Sequence, residues 1–189
     1  MARVHFVKCA RKAVPENGIA KGDSYYWWKF RFGGKHVSKT QPKPSQLTQS
    51  EFTSTVLSIG ENIDNLSCET LEDLQSERDS LVNEIQELGE AQQEKHDNMP
   101  DSLQDGEVGE LLNSRAEACE EWATELENVD IPDEDSAKAD AEHEEPVKDE
   151  TEKDKAAREQ RNTEAEDAAV QEALETALAE MQSCQYSGE

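Results

Sequence analysis

Length, composition and charge limit what this chain can be. Its 189 residues are 33% charged and only 34% hydrophobic, and the formal net charge is -25 at pH 7. Low hydrophobicity with high net charge leaves little apolar surface to offset the entropy of folding. We therefore expect no single large globular core, and we expect much of the chain to be extended helix or disordered.

The charge is divided unequally along the chain. Residues 1–44 hold ten Lys and Arg against two acidic residues, which gives +8 and leaves -33 for the remainder. The same segment holds seven of the ten aromatic residues. The positive charge and the aromatic residues that could form a small core therefore lie in the same segment, which predicts a basic, aromatic-rich β module over residues 1–44.

Three strands are predicted in this module. The first lies within residues 3–13 and is followed by the turn residues 15–18. The second covers residues 24–32 and the third residues 35–40, with Gly33-Gly34 between them. Two glycines suit the positive φ angles of a two-residue hairpin turn. The pattern predicts a small three-stranded antiparallel sheet.

The predicted hairpin divides its side chains between two faces. It places three pairs opposite each other: Phe32 with Lys35, Phe30 with Val37, and Trp28 with Lys39. One face is apolar and needs a cover: Tyr26, Trp28, Phe30, Phe32 and Val37. The other face is basic and aromatic: Tyr25, Trp27, Lys29, Arg31, His36, Ser38 and Thr40.

Five residues of the second face are the candidate binding residues: Tyr25, Trp27, Lys29, Arg31 and His36. Single-stranded nucleic acid is held by bases stacked on aromatic rings and by phosphates paired with Lys or Arg. In the alternative interpretation, the aromatic rings are buried against the helices and the basic residues pair with the acidic remainder of the chain.

Acidic amphipathic helices are predicted over residues 45–129. Residues 48–51 (TQSE) fit a capping box that opens the first helix, whose apolar positions are Phe52, Val56, Ile59, Ile63 and Leu66. A second helix is expected at about 69–96, and a third at about 107–129 after the break at residues 97–101. A helical hairpin or coiled coil is expected, either within one chain or as a homo-oligomer.

The acidic tail is predicted in two parts. Residues 130–163 are mostly Glu, Asp, Lys and Ala and lack aromatic residues, which predicts a disordered acidic linker. In the last part, residues 164–189, the spacing is helical again over residues 164–183, but the apolar face is small. We expect a weak amphipathic helix there that docks on the hairpin or on a partner.

Signatures of catalysis and of metal binding are missing from the sequence. It has no Gly-rich phosphate loop, no nucleophile elbow and no CxxC pair among its four cysteines. Glu90, Glu94, His96 and Asp97 form a cluster that so acidic a chain produces by chance. We therefore expect no enzyme activity, no cofactor and no metal. No run of 18 apolar residues occurs, so no membrane partner is expected.

Residues 1–8 (MARVHFVK) and 25–31 (YYWWKFR) resemble a group of uncharacterised bacteriophage proteins. The resemblance continues through residues 45–48 and 98–100, and so covers about residues 1–129. It implies a phage origin and a location in the host cytoplasm or the virion. It transfers no functional residues, because the group has no assigned activity.

Three hypotheses of function follow. The first is a phage accessory protein that binds nucleic acid or a nucleoprotein partner through the β module. The second is a virion or assembly component that works through helix packing. The third is an acidic inhibitor that mimics nucleic acid and occupies a host enzyme.

Overall fold

The computed structural model describes residues 1–146 and 151–188. In these residues it has three strands and six α-helices: β1 (Val4–Val7), β2 (Tyr25–Lys29), β3 (Lys35–Ser38), α1 (Glu51–Asp64), α2 (Leu71–Asp97), α3 (Asp101–Gln104), α4 (Glu107–Glu127), α5 (Glu134–Ala139) and α6 (Glu152–Ser183). The predicted α+β class is confirmed. The chain divides into two compact units, Met1–Asn62 and Ile63–Glu189.

The first unit contains the predicted antiparallel sheet, in the order β1-β2-β3. Its hairpin register differs from the predicted one, because Lys29 lies opposite Lys35 and Trp28 opposite His36. The connection between β2 and β3 is the five-residue segment 30–34 instead of a two-residue turn. A type I′ turn needs positive φ at both loop residues, and of the two glycines only Gly33 has it, at 138°.

The register change moves side chains between the faces of the sheet. The predicted pairing was wrong by three positions, and an odd shift transfers every β3 side chain to the opposite face relative to β2. His36 and Ser38 therefore share a face with Trp28, whereas Val37 lies opposite Trp27. The predicted grouping of His36 with Trp27 and of Val37 with Trp28 is thus corrected.

The buried residues of the first unit come from both the sheet and α1. Trp28 is buried, as are three apolar residues at helical spacing in α1: Phe52, Val56 and Ile59. The N-cap of α1 is Ser50, since its Oγ accepts a hydrogen bond from the Thr53 backbone N–H at 3.3 Å. The N-cap thus lies two residues after Thr48, the N-cap of the predicted capping box.

The second unit is built on α2 and α4, which run antiparallel. Two contacts show the direction: Arg78 near the start of α2 donates to the carbonyl of Val129 after α4, at 3.2 Å, and Gly89 lies against Cys119. Leu74, Ile85 and other stripe residues of the two helices are fully buried. The apolar spacing thus produces an intramolecular helical hairpin.

The acidic tail is more ordered than the sequence predicted. Where disorder was expected, α5 occupies Glu134–Ala139 and α6 begins at Glu152, with Thr151 as its N-cap. Residues 147–150 of the predicted disordered linker lie outside the described residues. Glu, Lys and Ala have high helix propensity, so the composition that suggested disorder also suits a solvated helix once one end is held.

The end of α6 is held by packing within the second unit. Leu174, Ala177 and Met181 lie on one side of the helix and are buried. Just after the helix, the Cys184 carbonyl accepts a hydrogen bond from the Trp122 indole N–H at 3.3 Å. The weak helix expected at residues 164–183 therefore docks on the hairpin.

None of the helices in the described residues combines the length and the apolar character that crossing a bilayer requires. All four cysteines are free thiols. No group of three or more metal-binding side chains is brought together within the described residues.

Candidate functional site

The five predicted binding residues are divided by the structure. Tyr25, Trp27 and Lys29 alternate along β2 and so lie on one face of the sheet. Arg31 lies in the connection after β2. His36 is on the opposite face, where its ring stacks on Trp28 at a centroid distance of 5.4 Å. The structure thus keeps four of the five residues in one region and removes His36 from it.

The indole ring of Trp27 is covered from both sides by its own chain. The His5 ring from β1 stacks on it with centroids 4.2 Å apart and planes 11° from parallel. The Lys35 ammonium of β3 lies 4.6 Å from the indole centroid. Because β1 and β3 flank β2, the two groups approach the indole from opposite sides. A base could stack on Trp27 only by displacing one of them.

A cationic cleft opens at the end of the sheet beside Lys29. It has a volume of about 340 Å³, and its charged side chains are those of Arg3, Lys29 and Arg31. Leu47, Thr48 and Gln49 form another part of its wall. Among the described residues that line the cleft, none is acidic.

The strand register explains why these cations meet. Val4 pairs with Trp28, so Arg3, one residue earlier, falls level with Lys29. Lys29 is in turn opposite Lys35 on β3. Arg3, Lys29 and Lys35 therefore form a row across the end of the sheet, from strand to strand. Like charges directly opposite each other destabilise a sheet, and an anion bound between them would relieve that repulsion.

Two of the four acidic residues of the first unit form ion pairs away from the cleft. Asp23 contacts Lys39 at 3.4 Å, and Glu61 contacts Lys43 at 3.5 Å. The backbone N–H of Ala20, followed by Lys39, holds the pKa of the Asp23 carboxyl below its ordinary value. Within the described residues, the cations of the cleft and Lys35 form no ion pair, so their charge is available to a ligand.

Sequence reasoning missed Arg3 and misplaced Phe32. The prediction put Phe32 on the apolar core face, but the residue is 73% exposed at the tip of the β2–β3 connection. The Arg31 guanidinium carbon lies 5.3 Å from the Phe32 ring centroid, and the Gln49 side chain donates a hydrogen bond to the Phe32 carbonyl. The sequence places Phe32 next to Gly33, at a turn where little of the chain can cover a ring, and this position could have indicated its exposure.

No known protein family matches the chain, and neither the curated proteins nor the solved structures include a significant match. The phage origin and the location that the resemblance implies therefore stay predictions.

Proposed function

We propose that this protein is a non-enzymatic accessory protein that binds nucleic acid through the cationic cleft of its first unit. The cleft brings Arg3, Lys29 and Arg31 together without an acidic neighbour among the described lining residues, and Lys35 continues the row of charge. Phosphate oxygens are the ligands that clustered Arg and Lys side chains bind best. The phage origin and the host-cytoplasm or virion location are part of this proposal.

The helical part of the chain gives less support to the assembly hypothesis. The apolar stripes that could join copies of the chain are buried within the second unit, where Leu74, Ile85 and Leu126 are each fully covered. We therefore propose that the hairpin acts as a spacer or scaffold. The acidic helices would keep the chain soluble and oppose nonspecific attachment to nucleic acid.

The salt dependence of binding tests the proposal. Each phosphate neutralised on a single strand changes the slope of log K against log[salt] by about -0.7, so three cleft cations predict a slope near -2. A fourfold rise in salt should then weaken binding by about 15-fold. Fluorescence anisotropy of a labelled oligonucleotide with the full chain measures both quantities.

A matched pair of variants separates the cleft from general positive charge. The triple variant Arg3→Ala, Lys29→Ala, Arg31→Ala removes the three cations of the cleft. A control triple changes Arg11, Lys12 and Lys21, which are also exposed and carry the same total charge. We expect the first triple to abolish salt-sensitive binding and the control to retain most of it. Equal losses in both would refute a specific role for the cleft.

A further inference from the structure

Cations alone do not decide which kind of nucleic acid a surface accepts. Arg and Lys bind phosphates of single strands and of duplexes alike. Single strands are distinguished by their exposed bases, which stack on aromatic side chains beside the phosphate track. The class of ligand therefore depends on which ring near the cleft has a face available to a base.

Most aromatic rings of residues 1–44 are packed against other groups or lie on the face of the sheet opposite Lys29. Trp28 is buried, and Trp27 is covered on both sides by His5 and Lys35. Phe6 and Tyr26 contact each other on the opposite face of the sheet, with centroids 5.0 Å apart. Trp27 and Trp28 thus satisfy the packing of the unit, and Phe6 and Tyr26 lie on the face opposite Lys29. Phe30 lines the cleft, but it is half-buried and its ring meets the His36 ring edge to face, with centroids 5.4 Å apart.

Phe32 differs from them in exposure and in position. Its exposed fraction of 73% compares with 58% for Phe6, and its neighbour Arg31 both lines the cleft and lies over the ring. Single exposed phenylalanines are common on protein surfaces, so exposure alone means little. Here, however, the same guanidinium contacts the ring and lines the cleft.

The backbone at Phe32 is held in place from the cleft side. Gln49, a residue of the cleft wall, donates its side-chain N–H to the Phe32 carbonyl. Gly33 follows with a φ of 138°, a conformation that L side chains rarely adopt. The Phe32 ring therefore projects from a backbone segment that is hydrogen-bonded to the wall of the cleft.

We propose that Phe32 is the base-stacking residue of this protein and that its ligand is single-stranded nucleic acid. The inference rests on the proposed function and adds the class of ligand to it. A base stacks on the open side of the Phe32 ring, and the adjoining phosphates lie along Arg31, Lys29 and Arg3. A duplex binds less well, because its bases are stacked on each other and do not reach the ring.

The test compares single-stranded and duplex oligonucleotides of equal length with the full chain and three variants. Phe32→Ala should weaken single-strand binding by about tenfold or more while the salt slope stays the same, because the cations remain. Phe32→Trp should retain affinity, and its added indole should be quenched on binding. Phe6→Ala, which removes an exposed ring from the opposite face, should bind like the unmodified chain.

Two results would overturn the inference. One is equal single-strand affinity of Phe32→Ala and the unmodified chain; the other is duplex binding as tight as single-strand binding. In both cases salt-sensitive binding would persist and the proposed function would survive. Absence of salt-sensitive binding by the unmodified chain to either ligand would instead refute the proposed function itself. Circular dichroism of each variant confirms that the fold is retained.

Discussion

The packing of α6 within the second unit depends on few buried side chains, and Met181 is the one to replace. Met181 is completely buried, and it shares its side of the helix with Leu174 and Ala177. The N-terminal half of α6, residues 152–167, is mostly exposed. Met181→Ala therefore removes much of what holds the helix in place.

The size of the effect follows from the burial. Burying Leu174 and Met181 contributes about 2 to 3 kcal/mol each, and Ala177 adds less. Replacing a buried Met by Ala costs about 2 to 5 kcal/mol, which is a large part of the docking free energy. We expect a loss of about 3 kcal/mol, and amide exchange in the C-terminal part of α6 should accelerate by about 100-fold.

Hydrogen exchange measured by mass spectrometry locates the change, and urea denaturation measures its free energy. Glu172→Ala is the matched control, because Glu172 is an exposed residue of the same helix. It should change stability by less than about 0.5 kcal/mol. A Met181→Ala variant with unchanged exchange in α6 would show that the helix is held by something other than its buried side.

Three further predictions concern helix glycines and buried thiols. Nothing lies within 4 Å of a Cβ added at Gly60, so Gly60→Ala should raise the stability of the protein by about 0.5 to 1 kcal/mol. A Cβ added at Gly89 would lie 3.0 Å from the Cys119 Cβ, so Gly89→Ala should leave the stability unchanged or lower it. Equal denaturation midpoints for the two variants would contradict this prediction. Burial raises the pKa of the Cys119 thiol from 9.0 to about 11. The unfolded thiol ionises first as pH rises, so stability should fall by up to about 3 kcal/mol between pH 9 and 11, and Cys119→Ala should flatten that part of the curve. In the native protein at neutral pH, iodoacetamide should modify the exposed Cys9 well before Cys119, and the reverse order by mass spectrometry would contradict the assigned burial.

The helices were predictable because each carries its pattern in local sequence. Four of the five predicted apolar positions lie in α1, which ends at Asp64 before the fifth, Leu66, and α2 and α4 lie within about two residues of their predicted bounds. Helical spacing is set every three or four residues, so a wrong pairing elsewhere does not shift it. The tail was harder to predict, because Glu, Lys and Ala suit both a disordered linker and a solvated helix such as α6.

The candidate site could be predicted only in part, because it depends on strand register. Lys29 and Arg31 stand out in the sequence as cations among aromatic residues, but Arg3 lies more than twenty positions away. Only the pairing of β1 with β2 brings Arg3 level with Lys29. The same dependence caused the error at His36, since a register shift of three residues moved it to the other face.

The sequence by itself determined the segregation of charge, the α+β class and the positions of α1, α2 and α4, all of which are local or compositional properties. Tertiary structure decided which cations meet in the cleft, that His5 and Lys35 cover Trp27, and that Phe32 remains exposed. The physical reason is that contacts across a sheet depend on the length and conformation of the connections between strands. In this protein the five-residue connection at residues 30–34, with positive φ at Gly33 alone of its two glycines, set that register.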